Sequence, residues 1–114
     1  MVTRRADSAS QAGLGSVLRA VADPSRRQIL DLLAKQDMSV NRIAGRFRIS
    51  RPAVVKHLRV LRSANLVSTR YSGRERIQSL NAEPLKKIDA WLNRFEVFWE
   101  NSLQKLKQQI EKDP

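Results

Sequence analysis

A mostly α chain carrying a single β-hairpin, in the order α-α-α-α-β-β-α, is what the sequence predicts, and three observations predict it. Ser39 to Leu61 reads as two helices joined by a short turn, with apolar sets at Val40, Ile43, Ala44 and Phe47 and then at Val54, Leu58 and Leu61. Val67 to Tyr71 and Arg74 to Leu80 both alternate, and Ser72-Gly73 between them is a turn signal. From Leu85 to Ile110, apolar residues recur at three- and four-residue steps. Two short helices followed by a hairpin make a winged helix-turn-helix.

Each element has its own warrant. Gly15 to Ala22 is a short helix stopped by Asp23-Pro24. Asp23 caps the next helix, because Pro24 sits at its first position, where a missing N–H costs nothing, and Ile29, Leu30, Leu32 and Leu33 supply its buried stripe. Arg26 and Arg27 fall near the start of that helix, where cations oppose the helix dipole; they are expected either to meet a phosphate or acidic partner or to be exposed without a role. Ser39 caps the third helix and Ser50 the fourth, with Pro52 just inside the fourth.

The wet face of the fourth helix carries Arg51, Val55, Lys56, Arg59 and Arg62. A helix dry on one side and cationic on the other fits the second helix of a helix-turn-helix, which lies in the major groove; the alternative is a solvated charged face. The hairpin behind it is then a wing, with Arg70, Arg74 and Arg76 reaching a neighbouring minor groove or the phosphates beside it. The expected DNA-contacting set is Ser50, Arg51, Pro52, Val55, Lys56, Arg59, Arg70, Arg74 and Arg76.

From Pro84 to Lys112 the pattern predicts one long helix holding both tryptophans and two of the three phenylalanines. Its apolar stripe is longer than a small winged core can cover, so part of it should face a second subunit. Trp91, Phe95, Phe98, Trp99, Leu103 and Leu106 are the expected interface, with Leu14, Val17, Leu18 and Val21 as their partners. A two-fold dimer would set paired recognition helices about 34 Å apart, in successive major grooves of a palindromic site.

Composition narrows the function classes. At 114 residues the chain is one domain: a loose lead-in over 1–13, a DNA-binding unit over 14–83 and a dimerisation helix over 84–112. At this length a separate ligand-binding domain is not expected. The net charge of +11 is concentrated, since residues 39–76 hold ten basic and one acidic side chain. Residues 1–38 hold six and four, and residues 77–114 hold six and six. That asymmetry points to a directed nucleic-acid face, with double-stranded DNA as the partner.

The absence of cysteine excludes disulfides, thiolate metal sites and thiol redox sensing. No apolar run approaches a membrane span, and the default location is the bacterial cytoplasm, at the nucleoid. An enzyme reading has little support. His57 is the only histidine and sits in the recognition helix, as a structural or phosphate-contacting side chain; Glu96 and Glu100 lack a third ligand; the four glycines form no phosphate loop. No cofactor or metal is expected. Two other readings compete: a sequence-neutral architectural or RNA-binding protein, and a DNA-binding module that docks a different protein through its aromatic helix.

The order of elements and the motifs resemble the ArsR/SmtB family of bacterial winged-helix repressors. The residues that carry the resemblance are Ala22-Asp23-Pro24-Ser25-Arg26-Arg27-Gln28-Ile29-Leu30, Ser50-Arg51-Pro52-Ala53-Val54-Val55-Lys56-His57-Leu58-Arg59-Val60-Leu61, and the wing Tyr71-Ser72-Gly73-Arg74. Together they cover about residues 16–110. The resemblance implies a homodimer joined through its first and last helices, which represses by occupying an operator until an inducer, unknown here, binds. Two departures stand out. Where arsenic- and cadmium-type sensors carry cysteines, this chain has Asn41, Arg42, Ile43, Ala44 and Gly45, and its last helix lacks the histidine of zinc-type sensors. The sequence therefore looks like the metal-independent branch. Val55 stands where the family often has Ser, placing an apolar group where it would contact a thymine methyl.

Overall fold

The computed structural model describes residues 13–112. Helix α1 occupies residues 13–21, followed by α2 (Pro24–Lys35), β1 (Met38–Ser39), α3 (Val40–Arg46), α4 (Arg51–Ser63), β2 (Val67–Ser72), β3 (Glu75–Leu80), α5 (Leu85–Asn93) and α6 (Glu96–Lys112). The predicted order holds with two corrections: a short strand precedes α3, and the expected single C-terminal helix is two. The expected lead-in over 1–13 lies outside the described residues except for Gly13, which is already helical.

Side-chain caps set the helix starts where the sequence placed them. Asp23 Oδ2 accepts from the Arg26 N–H at 3.0 Å, Ser39 Oγ from Arg42 at 3.1 Å and Ser50 Oγ from Ala53 at 3.3 Å. Each satisfies a donor that the first helical turn cannot, worth typically about 1 kcal/mol. The end of α4 is equally specific. Asn65 takes a left-handed φ of 61°, its N–H bonds Arg62 O at 3.0 Å, and the N–H of Leu66 bonds Leu61 O at 3.0 Å. This Schellman ending turns the chain from α4 straight into the hairpin. Asn81 then ties the far end of the hairpin to the same corner, donating from Nδ2 to Asn65 O and from its backbone to Leu66 O, both at 2.8 Å.

The core lies among α1 to α4 and the root of the sheet. Ile29, Leu30 and Leu33 of α2, Val40 and Ile43 of α3, and Val54, Leu58 and Leu61 of α4 are buried together with Val17 and Ala20 of α1. Truncating Leu58 or Leu61, at 2 % and 0 % exposure, to alanine would cost roughly 2–5 kcal/mol, because the core around them would relax only partly into the cavity left behind.

The sheet runs β1-β3-β2, all antiparallel, with Met38 opposite Gln78 and Tyr71 opposite Arg76. Gly73 alone in the hairpin turn has a positive φ, 62°, as a type II′ connection requires at its first central residue.

Leu85 and Ile88 of α5 pack on the core, and beyond them the apolar stripe leaves it. Arg94 and Phe95 break the helix: their N–H groups bond Trp91 O and Leu92 O at 3.2 and 3.0 Å, a three-residue step in place of four. Trp91 and Phe95 bridge the break edge to face, with ring centroids 5.4 Å apart. Helix α6, about 25 Å long, then projects away from the core. The radius of gyration, 19.6 Å, reflects this, against about 13 Å for a compact domain of about 100 residues. Among the described residues, no helix is long and apolar enough to cross a membrane.

Candidate nucleic-acid interface

The recognition surface is built on α4, whose buried side fixes how the opposite side points. With Val54, Leu58 and Leu61 held in the core, Arg51, Lys56, Arg59 and Arg62 emerge into solvent. Among the described residues, the side chains of Lys56 and Arg59 make no intramolecular hydrogen bond or ion pair, Arg59 being bonded only through its backbone carbonyl to Ser63 Oγ, so both cationic heads stand exposed. Ser50 is the cap and Pro52 is exposed in the first turn. Val55 departs from expectation. It follows Val54 by one helical step and is half-buried against the core, so it is not a fully outward residue.

Arg51 is braced, since its Nε–H donates to Asn41 Oδ1 at 2.8 Å across the turn between α3 and α4. Arg62 donates to Thr69 Oγ1 at 3.0 Å, and that hydroxyl donates to Gln78 Oε1 at 2.9 Å. Gln78 is 1 % exposed, a buried amide that locks the recognition helix to the wing.

The wing arginines divide into two kinds. Arg74 and Arg76 are exposed at and beside the turn, with the Arg76 guanidinium 6.0 Å from the Tyr71 ring centre. Arg70 lies away from the tip and is engaged, bonding Asp37 Oδ2 at 2.7 Å and Ser79 Oγ at 2.9 Å. Of the three wing arginines expected to reach DNA, Arg70 is the one already engaged within the protein, tying the middle of β2 to Asp37 just before β1. The Arg70 guanidinium, and after it the Ser79 hydroxyl, hold the Asp37 carboxyl below the usual carboxylate range.

Arg26 and Arg27 follow neither expected role. Arg26 bonds Ala20 O at 2.7 Å and Arg19 O at 2.8 Å, and Arg27 bonds Val21 O at 2.7 Å. They satisfy the last carbonyls of α1, so the charges that oppose the start of α2 complement the end of α1. His57 faces the same corner, with Nδ1 4.0 Å from Asp23 Oδ2. The backbone bond from Arg26, foremost, keeps the Asp23 carboxyl low.

Reasoning from the sequence missed Asn41 and Gln78, whose partners are ten and nine residues away. It also left out Arg42, Arg46 and Arg48, which are exposed on and just after α3 and were legible as charge but not as a surface. Of the expected interface residues, Trp91 and Phe95 are exposed with Phe98, Trp99, Leu103 and Leu106, the last four at 54–65 %. Leu14, Leu18 and Val21 are half-buried. Val17 is corrected: at 2 % exposure it belongs to the protomer's own core.

A helix-turn-helix with a cationic outer face, closed by a three-stranded sheet with a basic hairpin tip, defines a winged-helix DNA-binding protein. Residues 23–69 match the model of bacterial regulatory proteins of the arsR family. The transcriptional repressor SdpR of Bacillus subtilis is 38 % identical over 82 residues, which span 72 % of this chain and 91 % of that protein. The HTH-type transcriptional regulator Rv2034 of Mycobacterium tuberculosis is 39 % identical over 77 residues, 68 % of this chain and 72 % of its own. The solved ArsR-like transcriptional regulator from Rhodococcus sp. RHA1 superposes with a TM-score of 0.71 at 34 % identity, covering 88 % of this chain and 94 % of that one. The chain belongs to the arsR family, and it is a DNA-binding transcriptional regulator, not an enzyme.

Proposed function

We infer that the protein acts as a homodimeric repressor, which occupies a palindromic operator through α4 in the major groove and the wing on flanking backbone or minor groove. The observation that carries this reading is the coexistence of two surfaces that stand exposed among the described residues. One is cationic, on α4 and the hairpin tip; the other is the aromatic stripe from Trp91 to Leu106. The first suits phosphate and base edges, and the second suits a copy of itself, because exposed apolar area on this scale marks an interface. The repressor role is supported by the name of the relative from Bacillus subtilis.

Selection of bound duplexes from a random pool, with sedimentation of the free protein, tests the reading. A palindromic motif bound by a two-subunit species is expected. Binding that lacks sequence preference and disappears with salt would favour a sequence-neutral role instead, since a specific complex keeps an added margin of about 4–10 kcal/mol. Because the chain has no cysteine and a single histidine, operator binding is expected to be indifferent to zinc, cadmium, arsenite and chelators. Release of the DNA by any of them at micromolar concentration would contradict this.

A further inference from the structure

We propose that Asn41 is a positioning residue that sets the guanidinium of Arg51 for end-on, bidentate reading of a guanine, an inference that rests on the DNA-binding role of α4. Two rigid points define the geometry. Asn41 is the second residue of α3, held between Val40 and Ile43, which are 6 % and 0 % exposed; Arg51 is the first residue of α4, three positions before Val54 at 0 %. The core therefore fixes both backbones, and the 2.8 Å bond from Arg51 Nε to Asn41 Oδ1 spans the gap between them. Arginine offers only donors, so the amide must turn its oxygen to it.

With Nε occupied, the remaining guanidinium donors are the four N–H bonds of Nη1 and Nη2. Side-on pairing through Nε is closed, and the end-on fork that matches guanine O6 and N7 is left. The site also sits where the two DNA-facing elements meet. Ser39, Val40, Asn41 and Arg51 share a cleft of about 290 Å³ with Arg74, Glu75 and Arg76 of the wing. Lys56 and Arg59, further along α4, have no comparable brace among the described residues. Arg62, at the far end of α4, is held to Thr69 of the wing, so Arg51 is the cation at the start of α4 whose direction the protein itself decides before DNA arrives, which lowers the ordering cost of binding.

The test uses the duplex that the wild-type protein selects from a random pool, with each guanine replaced in turn by 7-deazaguanine, which lacks N7. Asn41→Ala is expected to bind the unmodified duplex about tenfold more weakly, with an unchanged thermal midpoint, and to lose sensitivity to 7-deazaguanine at one position. Adding Asn41→Ala to Arg51→Ala should cost nothing further. Asn41→Asp keeps the acceptor oxygen and should keep that sensitivity, even where its charge weakens binding to every duplex. Wild-type affinity in Asn41→Ala, or a loss that persists undiminished in the Arg51→Ala background, overturns the proposal, as does an Asn41→Asp protein without the position-specific sensitivity. If Asn41→Ala proves unstable, the Asn41→Asp and Arg51→Ala proteins decide alone: at one and the same guanine, Asn41→Asp must keep the sensitivity to 7-deazaguanine and Arg51→Ala must lose it. Failure of the wild-type protein to select any motif would instead remove the sequence-specific reading beneath it.

Discussion

Arg59 and Lys56 stand in the middle of the outward side of α4, unpaired among the described residues, while Arg51, Arg62 and Arg70 each hold a protein partner. Charge alone does not distinguish these five, and their hydrogen bonds do. Arg59→Ala is expected to weaken binding to a selected duplex by roughly 1–3 kcal/mol if the side chain pairs with a guanine, and anisotropy titration reads this directly. Unchanged affinity in a folded variant would remove Arg59 from the reading face. The Asp37–Arg70 pair makes a different kind of prediction. The Asp37 carboxyl ionises below its ordinary range in the fold, so the unfolded chain takes up its proton first as pH falls. Its contribution to stability is full above the ordinary carboxylate value and is lost as pH drops through the folded one. Asp37→Asn should therefore be less stable than the parent at neutral pH in urea unfolding, and the difference should close below about pH 4. A difference that is constant with pH would show that the pair does not act through charge.

Among the elements, the wing depends most on what it is fastened to. Gly73 turns the hairpin, but Gln78, Thr69 and Arg62 tie its lower half to α4, Arg70 ties its middle to Asp37, and Asn81 closes the corner beneath Asn65. In the proposed complex the tip meets DNA, with Arg74 and Arg76 exposed there and making no side-chain hydrogen bond or ion pair among the described residues. Alanine at either is expected to lower affinity by similar factors for selected and random duplexes and to flatten the dependence of log affinity on log salt by about one unit. A loss confined to the selected duplex would assign that arginine to base reading instead. The opposite end of the chain shows the converse case. Helix α6 has the aromatic stripe that the sequence predicted, yet its side chains are almost all exposed among the described residues, which therefore do not explain its composition.

At the scale of the whole molecule, the projection of α6 and the radius of gyration describe a small core with an arm. Burying one phenylalanine or tryptophan of that arm contributes about 1.5–3 kcal/mol by area, and Phe98 and Trp99 already stand edge to face, with centroids 5.4 Å apart. In the proposed dimer this arm would link two DNA-binding units, and each would raise the local concentration of the other at the paired half-site. Phe98→Glu is expected to split the dimer at micromolar concentration in sedimentation and to weaken operator binding. If that variant stays dimeric and binds as before, the interface lies elsewhere, and the stripe would need a different occupant.

The sequence by itself determined the features that arise from neighbouring residues. Caps at Asp23, Ser39 and Ser50, the buried stripe of α4, the turn at Gly73 and the one-sided charge of residues 39–76 are all written within a few positions of one another, where periodicity and turn chemistry are strong. Tertiary structure alone decided what depends on distant partners. A two-residue strand such as β1 has no pattern of its own and exists because β3 lies beside it. The break at Arg94 and Phe95 lacks the proline or glycine that would announce it. Val17 and Leu18 read alike on paper, and only the packing of α1 puts one in the core and leaves the other half-exposed. Likewise, which arginines are spent on Ala20, Thr69 or Asp37, and which remain for DNA, follows from carbonyls, hydroxyls and carboxylates that the fold brings within 3 Å. Hydrogen bonding acts over such distances, and a linear sequence does not record which distant groups will come that close.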